Sequence, residues 1–212
     1  MTEKMIILDS IDYILNNVIE ASQCLKKEDI TSLMNLILNA DAIFVMGAGR
    51  SGLVAKAFAM RLMHLSRKVY VMGETITPAI NEDDLLIAIS GSGETSNIVS
   101  SAESAVKRGA KVITLTSSPK STLGRISDQI LMIKGRTKED HLKKDFDARQ
   151  LAGEHVGLAP LGTLFEITAL VFLDGLIAEL MVELGLTEDD LGKKHVKDSK
   201  SLAQSKLEMN SQ

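Results

Sequence analysis

The stretch that decides the fold is Ala42–Met60, "AIFVMGAGRSGLVAKAFAM". A short apolar run meets three glycines, Gly47, Gly49 and Gly52, and a segment with helical spacing follows. A buried strand running through a glycine turn into a helix presents backbone N–H groups at the helix start. Anions bind there because those donors lack intrahelical partners and the helix dipole adds partial positive charge. The spacing also fits G-x-G-x-x-G, and Glu74 stands 22 positions after Gly52, where a dinucleotide ribose would want an acid. The first question is therefore whether the loop holds a dinucleotide or a smaller phosphate.

Outward from this stretch the pattern repeats. Four further apolar runs follow, "KVYVM", "LLIAIS", "KVITLT" and "QILMI", with helix-like segments "GLVAKAFAMRLMHL" and "TSNIVSSAESAVKRG" between two of the pairs. Continuously apolar strands are buried on both faces, and strands alternating with helices give right-handed crossovers and a parallel sheet. The expected fold is an α/β protein, a three-layer α/β/α sandwich on a five-stranded parallel sheet. Before the first strand, residues 3–22 and 28–40 carry apolar positions at helical spacing (Ile7, Ile11, Ile14, Leu15, Val18, then Ile30, Leu33, Met34, Ile37).

After the fifth strand comes Lys134–Ala159, "KGRTKEDHLKKDFDARQLAGEHVGLA", a charged connection of 26 residues with six Lys or Arg. Connections of that length are uncommon in compact domains; a lid and a solvated helical insert are equal alternatives here. Pro160 suits the first turn of a helix. The helix is expected to run to about Glu183 and is apolar nearly all round. One sheet hides only one side of such a helix, so its other face is expected to meet a second subunit. The division is one domain over 1–192, comprising N-terminal helices 1–40, a sheet core 41–134, the charged connection 135–159 and C-terminal helices 160–192. A polar tail, 193–212, follows.

Composition narrows the function. The chain has 212 residues, a net charge of −4, no Trp and seven Phe or Tyr, which disfavours nucleic-acid binding. Glu166, Asp174 and Glu179 interrupt the most apolar segment, Leu164–Leu184, which argues against a membrane helix. The start lacks the features of a signal peptide, and with the single Cys24 the expected location is cytoplasmic.

A second glycine loop, "SGSGETSN" (Ser90–Asn97), follows the third strand. Gly91 and Gly93 allow a tight turn, and Ser90, Ser92 and Thr95 add hydroxyl donors at a helix start, a cradle for one phosphate monoester. A dinucleotide scheme leaves this second loop without a task. Two loops at the ends of strands one and three favour a polyol phosphate over NAD.

"GAGRSG" followed by "SGSGET" in this frame resembles the sugar isomerase (SIS) domain family. With "FAMRLMHL", "GETITP", "LIAISGSGET" and "PLGTLFEITALVFLD" the chain resembles the 6-phospho-3-hexuloisomerase branch. The resemblance implies interconversion of 3-hexulose 6-phosphate and fructose 6-phosphate by a compact tetramer with no cofactor and no metal. It places Ser90, Ser92 and Thr95 at the phosphate and Ser51 at the substrate. Gly91 and Gly93 in the second loop and Gly49 and Arg50 in the first are further substrate-binding candidates, with Arg50 either contacting the phosphosugar or bracing its loop. Glu166 is the implied catalytic base, with His64 and His195 near the site. After His195 the chain reads Val196-Lys197-Asp198 where relatives commonly have Ala-Asn-Leu, so His195 departs from the pattern. Without the resemblance, Glu166 reads as a helix-dipole partner and His64 as a cation at a helix C-terminus. Glu74 and Glu94 are alternative bases. His141, His155 and His64 share no zinc-ligand spacing. An arabinose 5-phosphate isomerase and a non-catalytic phosphosugar sensor remain alternative readings.

Overall fold

The computed structural model describes residues 6–135 and 158–195. Most of the charged connection, with His141 and His155, and the tail beyond His195 lie outside the described residues. Among the described residues twelve elements follow in order: α1 (Ile6–Ser22), α2 (Lys27–Asn39), β1 (Ile43–Gly47), α3 (Arg50–His64), β2 (Val69–Val71), β3 (Leu85–Ile89), α4 (Ser96–Lys107), β4 (Lys111–Thr116), α5 (Thr122–Ile126), β5 (Gln129–Met132), α6 (Thr163–Leu184) and α7 (Glu188–His195).

The five strands form one all-parallel sheet in the order β2-β1-β3-β4-β5. The chain winds one way from β1 to β2 and the other way from β3 onward, so strand order reverses between β1 and β3. A crevice opens at the carboxyl ends of strands at such a reversal. Gly47 and Ile89 are register partners at the ends of these two neighbours, so the two glycine loops leave the sheet side by side.

Alternation along each strand divides the core. Ile43 and Val45 of β1 face a layer made by α2, α3 and α6; Phe44 and Met46 face α4 and α5. β3 is buried along its whole length, as its uninterrupted apolar sequence requires. The strands thus appear where the apolar runs predict them. The helix α5 was not foreseen: its sequence, "TLGRI", is too short to show a period, and it is set by Ser121, whose side chain accepts the Gly124 N–H as an N-cap.

One detail differs from the expectations. Pro160 does not sit in the first turn of α6. Its carbonyl accepts from Thr163 N–H in a turn through Gly162, which holds φ +87°, and the helix begins only after that left-handed residue. Within the chain α1, α2 and α3 also pack on α6, while its Val171 and Val182 stay exposed, 50% and 78%. Ser10 Oγ of α1 donates to the Leu158 carbonyl, fixing α1 to the chain just ahead of α6. No described helix is long and apolar enough to cross a membrane.

Candidate active site

The turn after β1 is built by close approach. A Cβ on Gly47 would stand 2.6 Å from the Ser51 carbonyl oxygen, and one on Gly52 would stand 2.8 Å from the Gly47 carbonyl oxygen. Glycine at both positions lets the first turn of α3 press against the end of β1. Between them Gly49 caps α3 with φ +56°. Ser51 is buried in this turn, whereas Arg50 reaches outward.

The loop after β3 is pinned differently. Gly93 has φ +67°, and a Cβ there would stand 2.0 Å from Ser121 Oγ. Ser90 Oγ accepts from Gly93 N–H and lies 3.4 Å from Thr95 Oγ1; Ser92 Oγ accepts from Glu94 N–H. Because Ser92 accepts from the backbone, its hydroxyl proton is available to an outside acceptor. A Cβ on Gly91 would come within 3.1 Å of the Phe165 ring, so this loop rests directly against the start of α6.

Phe165 precedes Glu166. The Glu166 carboxylate lies over Gly162, whose missing side chain leaves it room, and it is ion-paired with the Arg50 guanidinium. The Glu166 side chain is 13% exposed and that of Arg50 57%, so the carboxylate is largely enclosed while its partner faces solvent. The structure therefore brings Gly49, Arg50, Ser51, Ser90, Gly91, Ser92, Gly93, Thr95 and Glu166 together around one crevice.

The N-termini of α3, α4 and α6 gather here, capped by Gly49, Thr95 and Gly162, and none receives a side-chain cap. Their first-turn amides keep donors to spare, and the three dipoles add at one place. Compact α5, whose N-terminus is satisfied by Ser121, shows the ordinary arrangement. Three helix starts without side-chain caps, together with the hydroxyls, suit a dianion with no lysine in the loop.

The alternative bases are engaged elsewhere. Glu74 is exposed and pairs with Lys56 Nζ of α3 at 2.6 Å. Glu94 Oε1 accepts the Thr122 N–H at 2.8 Å, and hydrogen bonding to the side chain and backbone of Thr122 holds its carboxyl below the usual range. Neither arrangement leaves a carboxylate poised to take a proton from carbon.

His64 ends α3. Thirteen residues beyond Ser51 on a helix rising 1.5 Å per residue, it stands about 20 Å from the loop. It is buried, at 2% exposure. The helix α7, which ends at His195, packs against α3 as well. Within one chain His64 thus stands at the far end of α3 from the Glu166 crevice. Among the described residues no cluster of His, Cys, Asp and Glu could hold a metal ion.

Residues 36–149 match the SIS domain family. A 3-hexulose-6-phosphate isomerase of Bacillus subtilis is 37% identical over 86% of this chain and 93% of its own. The chain belongs to the SIS domain family. Within it, this SIS protein falls in the branch of relatives named 3-hexulose-6-phosphate isomerase, the 6-phospho-3-hexuloisomerases of the sequence resemblance. A protein of Aeropyrum pernix with no assigned activity is 48% identical over 86% of both chains. A crystal structure from Methanococcus jannaschii, whose report infers a function of 3-hexulose-6-phosphate isomerase, superposes with a TM-score of 0.72. It is 34% identical, covering 89% of this SIS chain and 98% of its own.

The Arg50–Glu166 pair is what sequence reasoning missed. Arg50 could be read only as a contact to substrate or a brace for its loop. No local pattern links a turn residue to an acid 116 positions away, and only the packing of α6 beside α3 reveals it.

Proposed function

We propose that this chain isomerises 3-hexulose 6-phosphate and fructose 6-phosphate by moving a proton between C2 and C3. The observation that carries the reading is the enclosed Glu166 carboxylate, held by Arg50 beside two hydroxyl-rich loops at the strand reversal. The relatives' names supply the sugar.

The substrate phosphate is bound by Ser90, Ser92, Thr95 and the first-turn amides of α4. Gly49, Arg50 and Ser51 border the polyol. From the 3-ketose, Glu166 removes the C2 proton, leaving a cis-enediolate with negative charge spread over O2 and O3. Returning that proton to C3 from the same face gives the 2-ketose, so one carboxylate serves both transfers. A donor must follow the charge between the two oxygens. Arg50, already at the carboxylate, and the loop hydroxyls are the donors at hand. Carbon oxidation levels exchange within one molecule, so no external oxidant, reductant or redox cofactor enters the balance.

His64 takes no step within one chain in this scheme; at its end of α3 it would serve a site only in a neighbouring subunit, and His195 keeps the site role that the resemblance implies. The reading treats 1–192 as one catalytic domain of a homo-oligomer, a tetramer by family resemblance, acting in the cytoplasm.

The deciding experiment is proton NMR of the chelator-treated protein with fructose 6-phosphate in D2O. Loss of the C3 proton signal with a 3-ketose appearing is the expected result. Exchange at C1 alone would shift the reading to an aldose–ketose isomerase. Binding without exchange would make the chain a phosphosugar sensor.

A further inference from the structure

Phe165 stands in a slot walled by two glycines. A Cβ on Gly91 would come within 3.1 Å of its ring, and a Cβ on Gly135 would stand 2.5 Å from its Cα and 2.6 Å from its backbone N. No side chain fits at that second distance, so the chain at Gly135 lies directly against the backbone that runs into Glu166. Phe165 is 2% exposed. Both walls of the slot are tied to the end of β4. The Gly91 carbonyl accepts from Thr116 Oγ1 and from the Ser117 N–H, each at 3.0 Å. Ile133, two positions before Gly135, donates its N–H to the Thr116 carbonyl and accepts from Ser117 Oγ, each at 2.9 Å. The loop after β3, the end of β5 and Phe165 are therefore one close-packed block, which transmits position rather than absorbing it. Glu166 is the next residue along the chain.

That block bears on a choice the reaction has to make. In open-chain fructose 6-phosphate the C2 carbonyl acidifies the protons on C1 and on C3 alike. Loss from C3 leads to the 3-ketose, whereas loss from C1 leads to an aldose. In the reverse direction the choice falls between C2 and C4. Acidity does not separate these carbons, so the base must choose by position. C1 lies two bonds farther from the phosphate than C3. With the phosphate on Ser90, Ser92 and Thr95, the outcome is decided by the span from that grip to the Glu166 carboxylate.

We infer that Phe165 is the positioning residue that sets this span and so confines proton transfer to C2 and C3. The inference rests on the hexulose-phosphate reading of the site. Gly91 lies between Ser90 and Ser92, so the ring touches the loop in the middle of the phosphate grip, while the same residue's backbone leads into the base. A ring wedged there fixes base against phosphate without touching the sugar. Arg50 is the other constraint on the carboxylate, but its side chain is 57% exposed, so the buried ring is the stiffer of the two.

The test is proton NMR with fructose 6-phosphate in D2O on the wild-type chain, Phe165→Leu, Gly91→Ala and the double variant. Inorganic phosphate binding is read by calorimetry, and folding by circular dichroism and a cooperative melt. The wild-type chain should exchange C3 with C1 at background. Phe165→Leu loosens the wedge: kcat should fall about 10–100-fold, the scale of a misplacement of about 1 Å, and exchange at C1 should appear. KM and phosphate affinity should stay within about twofold, because the grip itself is untouched. The backbone at Gly91 lies outside the left-handed region, so the methyl of Gly91→Ala acts only by pressing on the ring. It should produce a smaller change of the same kind. In the double variant that methyl fills part of the space the ring leaves, and preference for C3 should return in part. Single variants that are slower yet keep exchange at C3 alone overturn the inference and leave the reaction standing; so does a loss confined to phosphate affinity. A wild-type chain with no C3 exchange overturns the hexulose-phosphate reading and the inference with it.

Discussion

The guanidinium of Arg50 meets the carboxylate of Glu166 across 116 residues of sequence. Arg50 opens α3 and Glu166 lies in the first turn of α6, so the pair joins the N-termini of two helices that pack side by side. The exposed member is the cation. The carboxylate is thus held under cover while its partner also faces solvent.

Glu166→Gln keeps the shape of the side chain and removes its basicity. Turnover and solvent exchange at C3 are expected to fall by about 10²–10⁴-fold, the usual worth of a positioned base. Fructose 6-phosphate binding, read by calorimetry, should persist. The melting temperature should hardly move, because Arg50 stays solvated without its partner and exposed pairs contribute about 0–1 kcal/mol. Retained turnover would take the base role from Glu166.

Arg50→Lys and Arg50→Ala separate orienting the base from gripping the substrate. The expected result is a kcat about 10–100-fold lower in Arg50→Ala, matching the roughly 1.5–3 kcal/mol of a charge-assisted hydrogen bond. Arg50→Lys should recover part of the loss, since an ammonium supplies charge without the planar fork. A KM that rises while kcat holds would instead assign Arg50 to ground-state binding of the phosphosugar.

Gly93→Ala strikes the phosphate loop through its backbone. The new Cβ would lie 2.0 Å from Ser121 Oγ at φ +67°. Left-handed strain of about 1–2 kcal/mol and overpacking of about 1–3 kcal/mol both oppose it. Stability should drop by about 3 kcal/mol in urea melts, with phosphosugar affinity falling alongside. An unchanged melt would mean that the loop is not held as described.

Asp128 supplies a pH test far from the crevice. Its carboxylate accepts from Lys111 Nζ and from the Val112 N–H, joining the start of β4 to that of β5. Burial pushes its carboxyl upward, but these hydrogen bonds outweigh it and hold it below the usual range. A lowered folded value stabilises above the unfolded value, about 3.9, and that contribution disappears as pH falls through the folded one. Asp128→Ala should destabilise the protein at pH 7 by about 1–2 kcal/mol, mainly through the orphaned Val112 N–H. The gap to wild type should narrow at pH 2–3. A gap independent of pH would show that charge plays no part in the contact.

The sheet was legible because each strand is buried on both faces, so that its sequence is apolar throughout and its neighbours are glycine turns or polar helices. The loops were legible for a related reason: Gly47, Gly52 and Gly93 stand where a side chain would collide or the backbone turns left-handed, and those demands leave a residue type behind. Relations between distant elements leave no such mark. Nothing in "PLGTLFEITALVFLD" announces that Arg50 will pair with Glu166. Nothing in α1 announces that it will lie on α6. The start of α6 was misplaced because Pro160 fits both a helix start and a turn, and Gly162 chose the turn. His64 was read from a match of motifs; the rise of α3 puts it at the opposite end of the same rod.

The hydroxyl of Ser10, tied to the carbonyl of Leu158, makes α1 a strut as well as a cover. Leu158 stands only eight positions before Glu166, with the Gly162 turn between them. The first helix of the chain thus braces from outside the approach to the helix that carries the carboxylate. Clipping away the amino-terminal segment would remove that brace while leaving every residue of the crevice intact, and a chain so shortened would keep its chemical groups but lose their alignment.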